Sequence, residues 1–233
     1  MITALNTLIE RLFVNSDKKL LATKTDLLFF HLRGVLLGNV GIACLLTWVL
    51  WDAVEHSRLL IWLGVIMGLS LTRFVISQII AKEPTQPEEA SWKMSFHLFF
   101  VLASGITWGV GGLLFMAPDN PGYLAFLLLV LAGMSAGCLA SYATFPPLYF
   151  AFSVPTIAPI ATYLIVTNNN VVPVAGYFMS AFLAINLFYC FNLGRAIERS
   201  LSLQFENVDL MERLKEQKDI AESSNIAKSK FLA

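Results

Sequence analysis

Charge is scarce in this 233-residue chain, and over one long stretch it nearly disappears: between Met94 and Gly194 only Asp119 is formally charged. Charged residues make up 14% of the whole and apolar ones 57%, where soluble domains have roughly a quarter and a half. So long an uncharged stretch cannot be a soluble core, because a soluble core must also supply a wetted surface. Net charge is zero, which removes the bulk attraction that nucleic-acid binding depends on. The three cysteines, Cys44, Cys138 and Cys190, fall in apolar segments without CxxC or metal-ligand spacing. We expect no metal site there and read them as small buried hydrophobes. Met1–Phe13 lacks a basic start and a small-residue cleavage site, so it is not a secretory signal peptide. The apolar segments carry no paired acids, which leaves proton or cation transport little to work with.

What is present is oil in measured lengths. Six apolar runs of about twenty residues, the length that crosses ~30 Å of hydrocarbon as a helix, occupy Gly34–Trp51, Leu59–Ile80, Phe96–Met116, Tyr123–Tyr142, Leu148–Val166 and Val171–Leu193. Charges and prolines break them at WDAVEHSR and KEPTQPEEASWK, and turn residues at APDNPG. The shorter breaks ATFPP and TNNN make the last three runs tightly linked antiparallel neighbours. The expected fold is therefore an all-α integral membrane bundle of six transmembrane helices.

Lys and Arg set its orientation. With a cytoplasmic N-terminus, the inner segments hold fourteen of them and the outer loops only Arg58. Both termini are then cytoplasmic. Ile2, Leu5, Leu8, Ile9, Leu12 and Phe13 share one helical face, suited to the inner leaflet or to the ends of the bundle. We divide the chain into an N-terminal interfacial region (1–32), a six-span membrane domain (33–194) and a cytoplasmic tail (195–233).

The tail is the charged part, with fourteen charged residues from Arg195 onward. Leu203, Asn207, Leu210, Leu214, Gln217, Ala221, Ser224, Lys228 and Phe231 recur at alternating steps of four and three, the seam of a two-stranded coiled coil. Only five of these nine are apolar, so a weakly held parallel homodimer is expected. Asp209–Arg213, Lys215–Asp219 and Lys218–Glu222 are spaced for ion pairs along the helix, worth about 0.3 kcal/mol each. A lone solvated helix is the plainer alternative.

The closing residues AESSNIAKSKFLA, Ala221–Ala233, resemble the entry to the dimerisation and phosphoacceptor helix of bacterial sensor histidine kinases, hybrid kinases in particular. In that family AE-x-x-N-x-AKS-x-FLA runs into an Asn-Met-Ser-His-Glu box. Ala221, Glu222, Asn225, Ala227, Lys228, Ser229, Phe231, Leu232 and Ala233 match. The resemblance implies an inner-membrane input region whose phosphorylated histidine, ATP- and Mg-binding domain and receiver or response-regulator partner would follow residue 233. No catalytic activity or cofactor is then expected of the present residues. None of His31, His56 or His97 lies in a matching box. GITWGVGGLLF, LAGMSAG and the proline-bearing fifth run are similar to six-span sensor regions of proteobacteria, which implies a small, often lipid-like signal. The alternatives are the input region of a cyclic-dinucleotide enzyme, a passive anchor and a small transporter.

Candidate site residues follow from chemistry that is unusual in lipid. Arg73 is the one charge inside a span, about 10 Å from its cytoplasmic end at 1.5 Å per residue. It either snorkels outward or makes a structural pair, or else it meets an anionic ligand head group. Trp108, Tyr149, Tyr163, Asn186 and Tyr189 offer polar atoms that either bond between helices or orient a ligand. Gly105, Gly109 and Gly112 in the third run, and Gly133 and Gly137 in the fourth, are spaced for close helix packing or for faces that shift during signalling. Pro155 and Pro159, one turn apart, predict a bend that either is fixed or walls a pocket. His97 is read as a solvated imidazole at a membrane interface.

Overall fold

The computed structural model describes residues 18–116, 120–167 and 172–232, with the side chains of Val172 and of 224–232 outside the description. The amphipathic reading of Met1–Phe13, Asp119, and the seam positions Ser224, Lys228 and Phe231 thus lie outside the described residues or side chains. What is described is all-helical: α1 (Lys18–Val49), α2 (His56–Ile80), α3 (Ala90–Leu114), α4 (Pro121–Tyr142), α5 (Pro146–Val166) and α6 (Val172–Leu232). All six are long and apolar enough to cross a membrane. The shortest, α5, has 21 residues, which at 1.5 Å each reach about 32 Å.

Local chemistry sets the ends. Asn120 caps α4, its side-chain oxygen accepting from the Tyr123 amide at 3.3 Å, and Pro121 fills the first turn where no donor is needed. Pro146 does the same for α5. Ahead of α2, Glu55 accepts from the Ser57 hydroxyl at 2.6 Å and pairs with Arg58 at 2.9 Å. α1 begins at Lys18, well before the apolar run at Gly34, because no proline or glycine interrupts residues 18–33. Asp26 in that early stretch accepts from the Thr85 amide at 3.0 Å, tying the α2–α3 connection to α1.

Within the first compact unit, residues 1–194, α3 is central: it packs against α1, α2, α4 and, most extensively, α5. Large apolar side chains point outward, Phe30, Leu37, Trp48, Leu129 and Phe178 among them. Asn39, Ser70, Arg73, His97, Ser135, Ser153 and Thr156 point in. That distribution suits hydrocarbon as solvent, where polar groups must find partners inside the bundle.

Glycines set the closest approaches. A Cβ on Gly105 would come within 2.6 Å of the Phe152 carbonyl, and one on Gly109 would overlap the Pro155 carbonyl. Gly112 has the Leu131 side chain at 2.9 Å. Gly176 and Gly194 on α6 are equally tight against the Ala161 and Ala143 carbonyls, each at 2.8 Å. Gly133 and Gly137, by contrast, face open space.

In the second unit, residues 195–233, the described residues are helical and the described side chains mostly exposed. Asp209–Arg213 (2.8 Å) and Lys218–Glu222 (3.5 Å) form as spaced, while Lys215 and Asp219 make no pair among the described residues. Leu203, Asn207, Leu210, Leu214, Gln217 and Ala221 are all exposed along this helix.

Candidate functional site

The buried stripe of α2 is Leu59, Trp62, Ile66, Ser70, Arg73 and Ser77. Its steps of three and four put Ser70 and Arg73 on the face that meets α1 and α3, from which the Arg73 side chain reaches α4. Arg73 does not snorkel: it is 4% exposed. Its Nη2 donates to His97 Nδ1 on α3 at 3.2 Å, and its Nη1 lies 3.4 Å from the Tyr142 hydroxyl at the end of α4. Since a guanidinium only donates, His97 Nδ1 must be the acceptor, so the imidazole is neutral with its proton on Nε2. His97 is fully buried beside Phe29, their ring centroids 4.4 Å apart. This corrects its reading as a solvated interfacial group, for Phe29 on α1 and Arg73 on α2 pack against it.

One turn above, a second set of bonds joins three helices. Trp108 Nε1 donates to Asn39 Oδ1 at 2.6 Å, and Asn39 Nδ2 donates to Ser70 Oγ at 3.1 Å. Asn39, Ser70, Arg73, Ser104, Cys138 and Tyr142 line a cavity of about 20 Å³, together with apolar side chains including Phe100 and Met134. A further cluster joins α4 to α5: Ser135 bonds the Tyr149 hydroxyl at 3.0 Å and Ser153 at 2.9 Å.

Arg73 and Trp108 therefore belong to one polar layer, and Tyr149 to a neighbouring one. The other aromatic and amide candidates do not join them. Tyr163 and Tyr189 are 49% and 58% exposed on the outer surface. The Asn186 amide donates to the Phe182 carbonyl of its own helix at 2.9 Å. Pro155 and Pro159 lie inside an uninterrupted α5, and the Pro155 carbonyl meets Gly109 on α3. Cys138 and Cys190 are buried as expected, but Cys44 is exposed, because its side of α1 faces away from the bundle.

Sequence reasoning passed over Ser70, Tyr142, Ser135 and Ser153. A hydroxyl in an apolar helix carries no signal of which neighbour it will find. Gly111, whose absent Cβ makes room for the Trp62 indole, and Gly176 and Gly194 were also missed. The last two lie eighteen residues apart, five helical turns at 3.6 residues each, so they share a face without a short motif to announce it.

No protein-family model matches this chain, and no curated protein or solved structure matches it either.

Proposed function

We propose that this chain is the membrane-embedded input region of a bacterial, hybrid-type sensor histidine kinase in the inner membrane. One observation carries the reading. The AESSNIAKSKFLA stretch, with its nine matching positions, stands at the end of α6, the helix that also carries the sixth apolar segment. Six apolar helices, with Lys and Arg concentrated on one set of connections, support a multi-pass arrangement with both termini in the cytoplasm.

In this reading a small apolar or amphipathic signal binds among the helices and alters the packing of α6. The helix transmits that change through a parallel dimeric seam from Leu203 to Phe231. A seam with so many polar positions holds its partners weakly. Two arrangements within a few kcal/mol of each other can then be shifted by a ligand of modest differential affinity. ATP, Mg and a receiver domain or response regulator belong to the kinase part that would follow.

The gene sequence beyond codon 233 tests the kinase assignment directly. A phosphoacceptor histidine box there, and autophosphorylation of the protein it encodes, are the expected results. A cyclic-dinucleotide enzyme, or no further domain, overturns the assignment. Exchanging the six apolar helices for unrelated ones should abolish regulation; intact regulation would make this region a passive anchor.

A further inference from the structure

Arg73 is a buried charge without a countercharge. Its two partners, His97 Nδ1 and the Tyr142 hydroxyl, are both neutral, and no carboxylate pairs with it among the described residues. The C-terminal turn of α4, which carries Tyr142, offers at most about half a negative charge. A desolvated ion left in that condition is expensive, by several kcal/mol in real proteins. Arg73 Nε is also buried with no hydrogen-bond partner at all.

Three groups lining the adjoining cavity keep a hydrogen to donate. Asn39 Oδ1 is taken by Trp108, Ser70 Oγ accepts from Asn39, and the Tyr142 oxygen accepts from Arg73. What remains free is the Arg73 Nε–H, the Tyr142 O–H and the Ser70 O–H. These are three donors beside the one formal charge in the lining; Ser104 and Cys138, which also line the cavity, are neutral groups that can donate as well. At about 20 Å³ the cavity holds one water-sized group. A cation would be repelled by the uncompensated Arg73 charge, and a tetrahedral oxyanion would not fit.

The geometry points to a closed anion site inside the bundle, in which Arg73, Tyr142 and Ser70 hold one compact, singly charged group: a halide, or the carboxylate of a larger acid. Val35 on α1 and Leu69 on α2 are part-exposed lining residues, and they mark where the tail of such an acid would leave toward lipid. The site rests on the membrane-embedded bundle and, where its occupant is a lipid-tailed acid, deepens the proposed function by naming the chemistry of its signal. Its test reads binding and not signalling, so either can fail alone.

The experiment is a set of thermal unfolding titrations of the full chain in lipid nanodiscs, starting in gluconate buffer free of small anions. Chloride, acetate, phosphate, dodecanoate and dodecanol are the probes. A saturable rise in midpoint with chloride, acetate or dodecanoate, and none with phosphate or dodecanol, is the expected result. Dodecanoate acting at far lower concentration than acetate would make the source an acid dissolved in lipid; chloride or acetate acting as well would make it the aqueous phase. Arg73→Gln should raise the apparent Kd about tenfold or more, as loss of a charge-assisted donor does. Tyr142→Phe, which keeps the ring, should raise it severalfold and guards against misfolding of the arginine variant. No anion-dependent shift in the wild-type chain would overturn the site and leave the cavity to water. So would the same shift in both variants, or one that phosphate or dodecanol reproduces.

Discussion

The Pro155 carbonyl lies against the Cα of Gly109, in space that any other residue's Cβ would occupy. Proline chemistry explains why that carbonyl is there. Pro159 has no N–H, so the helical donor for the Pro155 oxygen is missing; Pro155 likewise deprives the Ala151 oxygen. The Ala151 oxygen in turn stands 2.9 Å from where a Gly105 Cβ would be. Two glycines four residues apart on α3 thus receive the two carbonyls that two prolines four residues apart release on α5. Cα–H···O contacts of this kind are worth about 0.5–1 kcal/mol each. The Thr156 hydroxyl adds a bond within reach of both the Phe152 carbonyl (2.7 Å) and the Gly105 carbonyl (3.2 Å).

Gly109→Ala should therefore be the most damaging glycine substitution in the bundle. Its Cβ meets backbone, which cannot rotate away, and overpacking of this type typically loses about 1–3 kcal/mol. Gly133→Ala and Gly137→Ala face open space and should stay within about 0.5 kcal/mol of wild type, or gain slightly from helix propensity. Denaturant titration of the three variants in mixed micelles provides the comparison.

Trp108→Phe removes the donor to Asn39 and leaves a buried amide oxygen unpaired, for a loss of about 1–2 kcal/mol. Asn39→Leu in the same chain removes the orphan, so the double variant should be less destabilised than the sum of the singles. A double-mutant cycle read by thermal unfolding measures the difference.

In the α4–α5 cluster the middle hydroxyl matters most. Ser135→Ala removes the two short bonds of the cluster (3.0 and 2.9 Å) and leaves Tyr149 and Ser153 only each other, whereas Tyr149→Phe leaves the Ser135–Ser153 bond intact. The serine variant should lose more stability, by about 1 kcal/mol. Unfolding midpoints in the order serine below tyrosine below wild type are expected.

At the start of α2 the Glu55 carboxyl is held below its ordinary value of 4.5, first by the Ser57 hydroxyl and then by Arg58. A depressed folded-state pKa stabilises the charged form, so the contribution is present at neutral pH and fades as acid protonates the carboxylate, below 4.5. Amide exchange at the first turn of α2 should speed up through that acidic window, and Glu55→Gln should show no such step.

Asn207→Leu together with Gln217→Leu should tighten the proposed seam. Cysteine crosslinking along residues 203–221 should then show a stable parallel dimer, and a kinase carrying the pair should no longer respond to its signal. An unchanged response would count against the helical relay.

The lesson about legibility lies in α3 and α5. Six helices could be read from the sequence, because hydrocarbon allows backbone polar groups few other arrangements and the apolar runs are long. Gly105 and Gly109 were legible as a packing face, and Pro155 and Pro159 as a disturbance of α5. That the two motifs meet was not legible, since neither spacing names its partner; Gly133 and Gly137 have the same spacing and meet nothing. Arg73 stood out by being the single charge in a span, yet its inward turn depended on His97 and Tyr142, distant in the chain by 24 and 69 residues.

Composition and periodicity by themselves determined that this protein has six helices apolar and long enough to cross a membrane, and that its tail is polar. Those properties are summed over many residues, so no single neighbour changes them. Which helix faces meet, where the buried Arg73 guanidinium points, and that the hydroxyls beside it are left with hydrogens to donate were decided only by tertiary structure. Each of these depends on a few atoms brought within about 3 Å by parts of the chain that carry no record of one another.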